Sequence, residues 1–88
     1  MRQQSFTKDE SFLCKLASMA EGLGSSFHSV DCYLVGQAVG QNKKSTDNIV
    51  RMLAQTNFIH KLSGYQIALT KQGKVLVDQL QESCHARV

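Results

Sequence analysis

The sequence has no proline, no tryptophan and no apolar run that approaches the roughly 20 residues of a membrane-spanning helix. Its polar start, residues 1–5, lacks the apolar segment of a signal peptide, so we expect neither a signal peptide nor a membrane span. A chain of 88 residues is too short for a doubly wound nucleotide-binding fold or a barrel enzyme, but it is long enough for one modest core. Charged residues make up only 19% of it, which argues against disorder. We therefore expect a single domain over residues 1–88.

Cysteine is scarce: Cys14, Cys32 and Cys84 are an odd number, and none has the C-x-x-C spacing of a zinc site. A small secreted domain held together by disulfides would contain more cysteines, and an even number of them. Reduced thiols in a cytoplasmic protein are therefore the better interpretation. The three histidines lack ligand-pair spacing as well, and we expect neither a metal nor another cofactor. A redox-sensing thiol stays open as an alternative, because sequence does not reveal the pKa of a thiol.

Motifs that carry catalysis are also missing. The sequence contains no glycine-rich phosphate loop, no nucleophile elbow and no metalloprotease helix. Its carboxylates are scattered, and the adjacent Asp9 and Glu10 are better explained by the start of a helix. The sequence therefore predicts a protein that is not an enzyme.

Positive charge is concentrated in the middle of the chain. The net charge is only +3, but residues 41–74 contain six basic side chains and a single acidic one, Asp47, while both flanking segments are slightly acidic. This distribution indicates one surface suited to a polyanion, although solvated lysines would give the same pattern. The six basic residues are Lys43, Lys44, Arg51, Lys61, Lys71 and Lys74.

The first predicted helix has clear boundaries. Thr7 and Glu10 have the spacing of a capping box, and Gly22 with Gly24 marks the end of the helix. Between them the apolar residues follow a 3.6-residue period with a wide buried face. These residues are Phe12, Leu13, Leu16, Ala17, Met19, Ala20 and Leu23.

Two short helices follow, separated only by residues 40–42. The second helix is predicted over about residues 31–39, with Ser29 or Asp31 as its N-cap, and the third over about 43–56, with Asn42 as its N-cap. Gly36 inside the second helix costs roughly 1 kcal/mol relative to alanine, which implies close packing against another backbone at that point. The expected apolar face of the second helix consists of Leu34, Val35, Ala38 and Val39.

A β-hairpin and a last helix complete the predicted elements. Asn57 is expected to close the third helix in a left-handed conformation, and Thr70 to cap the last helix. A two-residue turn at Ser63-Gly64 puts His60 on the apolar hairpin face, where a buried or rim histidine is expected. The predicted pairs are Leu62/Tyr65, His60/Ile67 and Phe58/Leu69 on one face, and Lys61/Gln66 and Ile59/Ala68 on the other.

A short glycine-bearing turn between two short helices is the signature of a helix-turn-helix. With the hairpin and last helix, the chain resembles the winged helix-turn-helix family over roughly residues 29–80. Segment 35–40 (Val-Gly-Gln-Ala-Val-Gly) resembles that family's second helix, segment 53–59 the passage into the wing, and segment 67–76 the second wing strand and final helix. The resemblance implies an α+β fold, a small winged helix. Its parts are a three-helix helix-turn-helix core over about 30–57, a two-stranded β-hairpin wing over about 58–69 and a C-terminal helix over about 70–83.

The function implied by this resemblance is sequence-specific binding of double-stranded DNA by a transcriptional regulator, with helix 43–56 in the major groove. Arg51 is then suited to guanine and Asn48 to adenine, while Asp47 either accepts from cytosine or orients Arg51. The expected DNA-binding residues are Lys43, Lys44, Ser45, Asn48, Arg51 and Lys61. A homodimer is expected through the N- and C-terminal helices, where Phe12, Met19, Leu23 and Val75 are expected to extend past the core.

A second hypothesis belongs to a different class of function. The same fold can serve as a protein–protein interaction module, such as a complex subunit or an anti-repressor, without binding DNA. The modest net charge, the short hairpin and Asp47 within helix 43–56 favour this alternative.

Overall fold

The computed structural model describes residues 7–85, with side chains as far as Gln81. Over that range the chain is α+β, with four helices and one three-stranded antiparallel sheet of order β1-β3-β2. No helix within residues 7–85 has the length and apolar character needed to cross a membrane. The elements are α1 Lys8–Gly22, β1 Val30–Asp31, α2 Cys32–Ala38, α3 Lys43–Gln55, β2 Ile59–Lys61, β3 Gln66–Leu69 and α4 Lys71–His85.

The predicted helix starts are confirmed by their capping bonds. Thr7 forms the full capping box of α1, with the Thr7 hydroxyl accepting from the Glu10 N–H at 3.1 Å. Asp31, rather than Ser29, caps α2, and Asn42 caps α3. Each cap satisfies an N–H group that the first turn of a helix leaves without a partner.

The core lies between α1 and the other elements, and α1 contributes its largest side chains. Phe12 is fully buried, so it belongs to this core and is not surplus apolar surface as the sequence suggested. Met19 is half-buried against the same core, whereas Leu23 and Val75 are exposed. The buried core residues from the other elements include Val30, Val35, Ile49, Val50, Leu53, Ile59, Ile67, Leu69 and Val77.

The buried face of α2 differs from the predicted one. Leu34 is 52% exposed and Ala38 is also exposed, so the expectation that both face inward is wrong. The helix instead buries Cys32, Val35 and Gly36, which lie at i, i+3 and i+4. A seven-residue helix has room for one such stripe, and Leu34 lies about 100° around the axis from Val35.

Gly36 lies where α2 crosses α3, as its predicted close packing requires. A Cβ atom at this position would overlap the Oγ1 atom of Thr46, which is almost completely buried. The Thr46 hydroxyl is satisfied within its own helix, because it donates to the Asn42 carbonyl at 2.8 Å. The close contact is therefore with a side chain of α3 and not, as expected, with another backbone.

The hairpin pairs one residue out of the predicted register. Ile59 opposes Leu69, because the tip contains the three residues 63–65 instead of two. The Leu62 N–H closes this tip by donating to the Gln66 carbonyl at 2.8 Å. Loop length fixes the register of a hairpin, so the extra tip residue shifts every pair.

That shift moves the β2 side chains to the faces opposite to those predicted, while Ile67 and Leu69 of β3 are buried as predicted. His60, expected on the apolar face, is exposed and lies opposite Ala68. Ile59 takes the inward position and is buried. Side chains alternate along a strand, so a shift of β2 by one residue moves each of its side chains to the other face relative to β3.

The third strand of the sheet was not predicted, whereas the residue that closes α3 was. Val30 and Asp31 form a short strand against β3, which extends the expected two-stranded hairpin to three strands. Asn57 has a φ of 69°, which confirms the predicted left-handed residue after α3. Its carbonyl accepts from the Thr70 hydroxyl at 2.6 Å, and this hydroxyl also caps α4 by accepting from the Gly73 N–H.

Candidate nucleic-acid interface

The outer side of α3 carries the predicted DNA-binding residues. Its buried side consists of Thr46, Ile49, Val50 and Leu53. The polar face of α3, defined as Lys44, Asn48, Arg51 and Gln55, lies opposite and is exposed throughout. These four positions follow the i, i+4, i+7 and i+11 spacing of a single helical stripe.

Ser45 and Lys43 lie beside this face. Ser45 is half-buried, and its N–H is used by the Asn42 cap at 2.9 Å. The Lys43 ammonium lies over the ring of Tyr33, 5.2 Å from the ring centroid, in a cation–π contact. Tyr33 on α2 therefore restrains a lysine at the start of α3.

Asp47 has a partner that the sequence did not suggest. Its Oδ1 atom accepts from the Tyr33 hydroxyl at 2.6 Å, a charge-assisted hydrogen bond between α2 and α3. Within the part of the chain whose side chains are described, the single ion pair joins Lys74 and Asp78. Asp47 makes no ion pair with Arg51 in this part of the chain, so the expectation that Asp47 orients Arg51 is wrong.

The same hydrogen bond changes the acidity of the tyrosine. Donation to Asp47, with smaller contributions from burial and the Asp47 charge, raises the pKa of Tyr33 to about 12. The phenol donates only while it is protonated, so the bond favours the protonated form.

This pKa gives a testable pH dependence. Since the folded-state pKa lies above the ordinary value of about 10, its stabilising contribution is complete below pH 10 and is lost as the pH rises through 12. In a tyrosinate absorbance titration of the folded protein, we expect a late phase near pH 12. Tyr33→Phe should remove this phase, and Asp47→Asn should move it towards pH 10. A late phase that survives Asp47→Asn would contradict the assignment.

A cleft of about 330 Å³ separates α3 from the hairpin. Arg51 lines it from the helix and Lys61 from the hairpin, so two predicted DNA-binding residues on separate elements face a common space. Tyr65, at the hairpin tip, packs edge-to-face on Tyr33 with ring centroids 4.9 Å apart. We call this space the α3–hairpin cleft; its lining consists of Cys32, Tyr33, Asp47, Val50, Arg51, Lys61, Gly64, Tyr65, Gln66 and Ile67.

Cys32 at the base of the cleft has the wrong environment for a reactive thiol. Burial, with the nearby charges of Asp31 and Asp47, raises the pKa of this thiol and disfavours the thiolate. The redox-sensor alternative therefore gains no support from Cys32. Cys84 lies outside the described side chains. Across the side chains that are described, no three His, Cys, Asp or Glu residues come close enough to hold a metal ion.

Sequence reasoning missed the two tyrosines. They are the only tyrosines of the chain, and they connect α2, α3 and the hairpin tip through contacts with Lys43 and Asp47. Tyr33 and Asp47 are 14 residues apart, so no local pattern indicated their hydrogen bond. The sequence offers a signal only for Tyr33, which lies in the helix directly before the basic helix α3.

Comparisons with protein-family models, curated proteins and solved structures found no match. Function must therefore be inferred from the residues of the interface.

Proposed function

We propose that this chain is a winged-helix protein that binds double-stranded DNA in a sequence-specific manner and regulates transcription. The observation that carries the proposal is the polar face of α3, on which Lys44, Asn48 and Arg51 share one exposed stripe. An amphipathic helix that is exposed along its basic side is the element that fits a major groove.

The order of elements supports the same proposal. Helices α2 and α3 are joined by a short turn and cross closely at Gly36, and a hairpin follows immediately. When α2 lies across the DNA backbone and α3 lies in the major groove, the hairpin extends towards the flanking phosphates of the DNA. Lys61 on β2 is then the hairpin residue that contacts a phosphate.

Each residue of the interface has a distinct chemical role in this proposal. Lys43 and Lys44 neutralise phosphates at the start of α3, and Ser45 contacts a phosphate or base beside them. Asn48 pairs with adenine, and Arg51 binds guanine through its forked guanidinium group. Phosphate contacts set the position on the duplex, and the contacts of Asn48 and Arg51 supply the sequence preference.

Salt dependence is the direct test of this function. With Lys43, Lys44 and Lys61 on phosphates, three condensed counterions are released, and log K falls with log salt at a slope of about −2.7 per chain. Raising the salt from about 50 to about 200 mM should then weaken binding roughly 40-fold. Fluorescence anisotropy of a labelled mixed-sequence duplex measures this slope.

A protein–protein interaction module remains the second candidate, because Leu34 on α2 and Leu62 in the hairpin are exposed apolar side chains. This alternative predicts no binding of duplex even at low salt. A flat anisotropy signal at about 20 mM salt, where the Debye length exceeds about 20 Å, would therefore favour the module over the DNA-binding protein.

A homodimer through the N- and C-terminal helices is part of the proposal. Leu23 after α1 and Val75 on α4 expose apolar surface that a partner copy would cover. Two-fold pairing also raises the affinity of a small module for a two-fold operator. In sedimentation velocity, we expect a dimer that Leu23→Glu with Val75→Glu converts to a monomer. A monomer for the parent protein would remove this part of the proposal.

A further inference from the structure

The α3–hairpin cleft lies beside the polar face of α3 and shares only Arg51 with it. Lys44 and Asn48 point away from the buried side of α3 and do not line the cleft. Asp47 and Val50, on the flank of the helix, do line it, and the opposite wall comes from the hairpin. Arg51 belongs to both surfaces, so whatever occupies the cleft lies next to the proposed duplex.

The cleft combines two kinds of recognition. Arg51 from α3 and Lys61 from β2 supply two positive charges, against one carboxylate in the lining, Asp47, whose Oδ1 atom accepts from the Tyr33 hydroxyl. The remaining excess of positive charge suits a phosphate group. Tyr65 is 58% exposed and supplies an aromatic ring that is held in place by its contact with Tyr33. A cationic groove beside an aromatic side chain is the combination with which proteins hold single-stranded nucleotides.

We propose that the α3–hairpin cleft holds one unpaired nucleotide of the bound nucleic acid, with its base against Tyr65 and its phosphate between Arg51 and Lys61. This inference rests on the proposed function, because the nucleotide belongs to the DNA that α3 binds. Arg51 has five N–H donors, so it can contact a groove base and this phosphate together.

The size and shape of the cleft select an unpaired nucleotide over a paired one. A volume of about 330 Å³ is at the lower end of the range for small-ligand pockets and is far too small to admit a duplex. A paired base also has its two faces covered by its neighbours in the stack. Only a bulged, extruded or single-stranded base has a free face for the Tyr65 ring.

The test compares three versions of one duplex at low salt: fully paired, with one bulged nucleotide, and with a bulged abasic site. The last two have the same backbone and charge and differ only in the base. We expect the bulged nucleotide to bind about tenfold more tightly than the abasic bulge, as expected for one stacked base. Tyr65→Ala should abolish this difference. Tyr65→Phe, which keeps the ring, and Leu62→Ala, next to the hairpin tip but outside the cleft lining, should preserve it.

A second readout reports the contact directly. The chain has two tyrosines, so selective tyrosine labelling gives two sets of ring signals in an NMR spectrum. We expect the Tyr65 ring signals to shift upfield with the bulged nucleotide and to stay unshifted with the abasic bulge.

Two negative outcomes are distinct from each other. Equal affinity for the bulged nucleotide and the abasic bulge, or a difference that survives Tyr65→Ala, overturns the nucleotide site and leaves duplex binding intact. Failure of all three duplexes to bind overturns the proposed function itself.

Discussion

Replacing Lys44 and Arg51 together with glutamate is expected to weaken duplex binding at least about 100-fold. The phosphate contact of Lys44 and the guanine contact of Arg51 are lost, and two negative charges then face the polyanionic duplex. Both side chains are exposed on the polar face of α3, and surface substitutions of this kind usually change stability by less than about 0.5 kcal/mol. A glutamate in the first turn of α3 also interacts favourably with the helix dipole, which offsets the repulsion between Asp47 and the glutamate that replaces Arg51. Anisotropy measures the affinity, and thermal unfolding should show a midpoint within a few degrees of the parent protein.

The matched control changes the net charge equally at positions outside the polar face of α3. Lys8 and Lys71 are exposed at the first positions of α1 and α4, and Lys8→Glu with Lys71→Glu again lowers the net charge by four. This control should keep affinity within a few-fold of the parent. Equal losses in both double variants would mean that total charge, and not the polar face of α3, determines binding.

Gly73→Ala is expected to cost about 3 kcal/mol or more of folding free energy, a large fraction of the stability of a small domain. A Cβ atom on Gly73 would overlap the backbone carbonyl of Phe58 and press on the side chain of Leu69. The carbonyl cannot easily move, because it accepts from the Thr70 N–H at 3.1 Å. The Phe58 N–H is held as well, by the Leu53 carbonyl at 2.9 Å. Denaturant unfolding monitored by circular dichroism measures the loss.

Gly22→Ala provides the comparison for this substitution. Gly22 is the last residue of α1, and a Cβ atom there would meet no other atom within 4 Å. The same chemical change should therefore be neutral or stabilise by up to about 1 kcal/mol, through lower chain entropy in the unfolded state. If Gly73→Ala costs no more stability than Gly22→Ala, then α4 does not pack closely at Gly73 against Phe58, the residue between α3 and β2.

The features that sequence reasoning predicted well are local. Each helix cap is a hydrogen bond to an N–H group two or three residues ahead, formed by Thr7, Asp31 and Asn42. The residues that predict each cap are therefore the residues that form it. Asn57 likewise closes α3 through its own backbone conformation. The exposed stripe on α3 was predictable because its period is a property of one helix.

The features that were missed depend on distant contacts. Strand β1 is only two residues long, and it exists because Val30 and Asp31 pair with β3 more than 30 residues later. The register of the hairpin depended on one extra tip residue, which Ser63-Gly64 did not reveal. The contact of Tyr33 with Asp47 requires α2 to cross α3, and α2 alone carries no sign of it.

Amide chemical-shift mapping with a mixed-sequence duplex at low salt tests the central claim most directly. We predict shift changes concentrated in residues 43–51 and at Lys61, with little change along α1 and α4. Changes confined to α1 and α4, or no changes at a duplex concentration well above that of the protein, would contradict DNA binding through the polar face of α3.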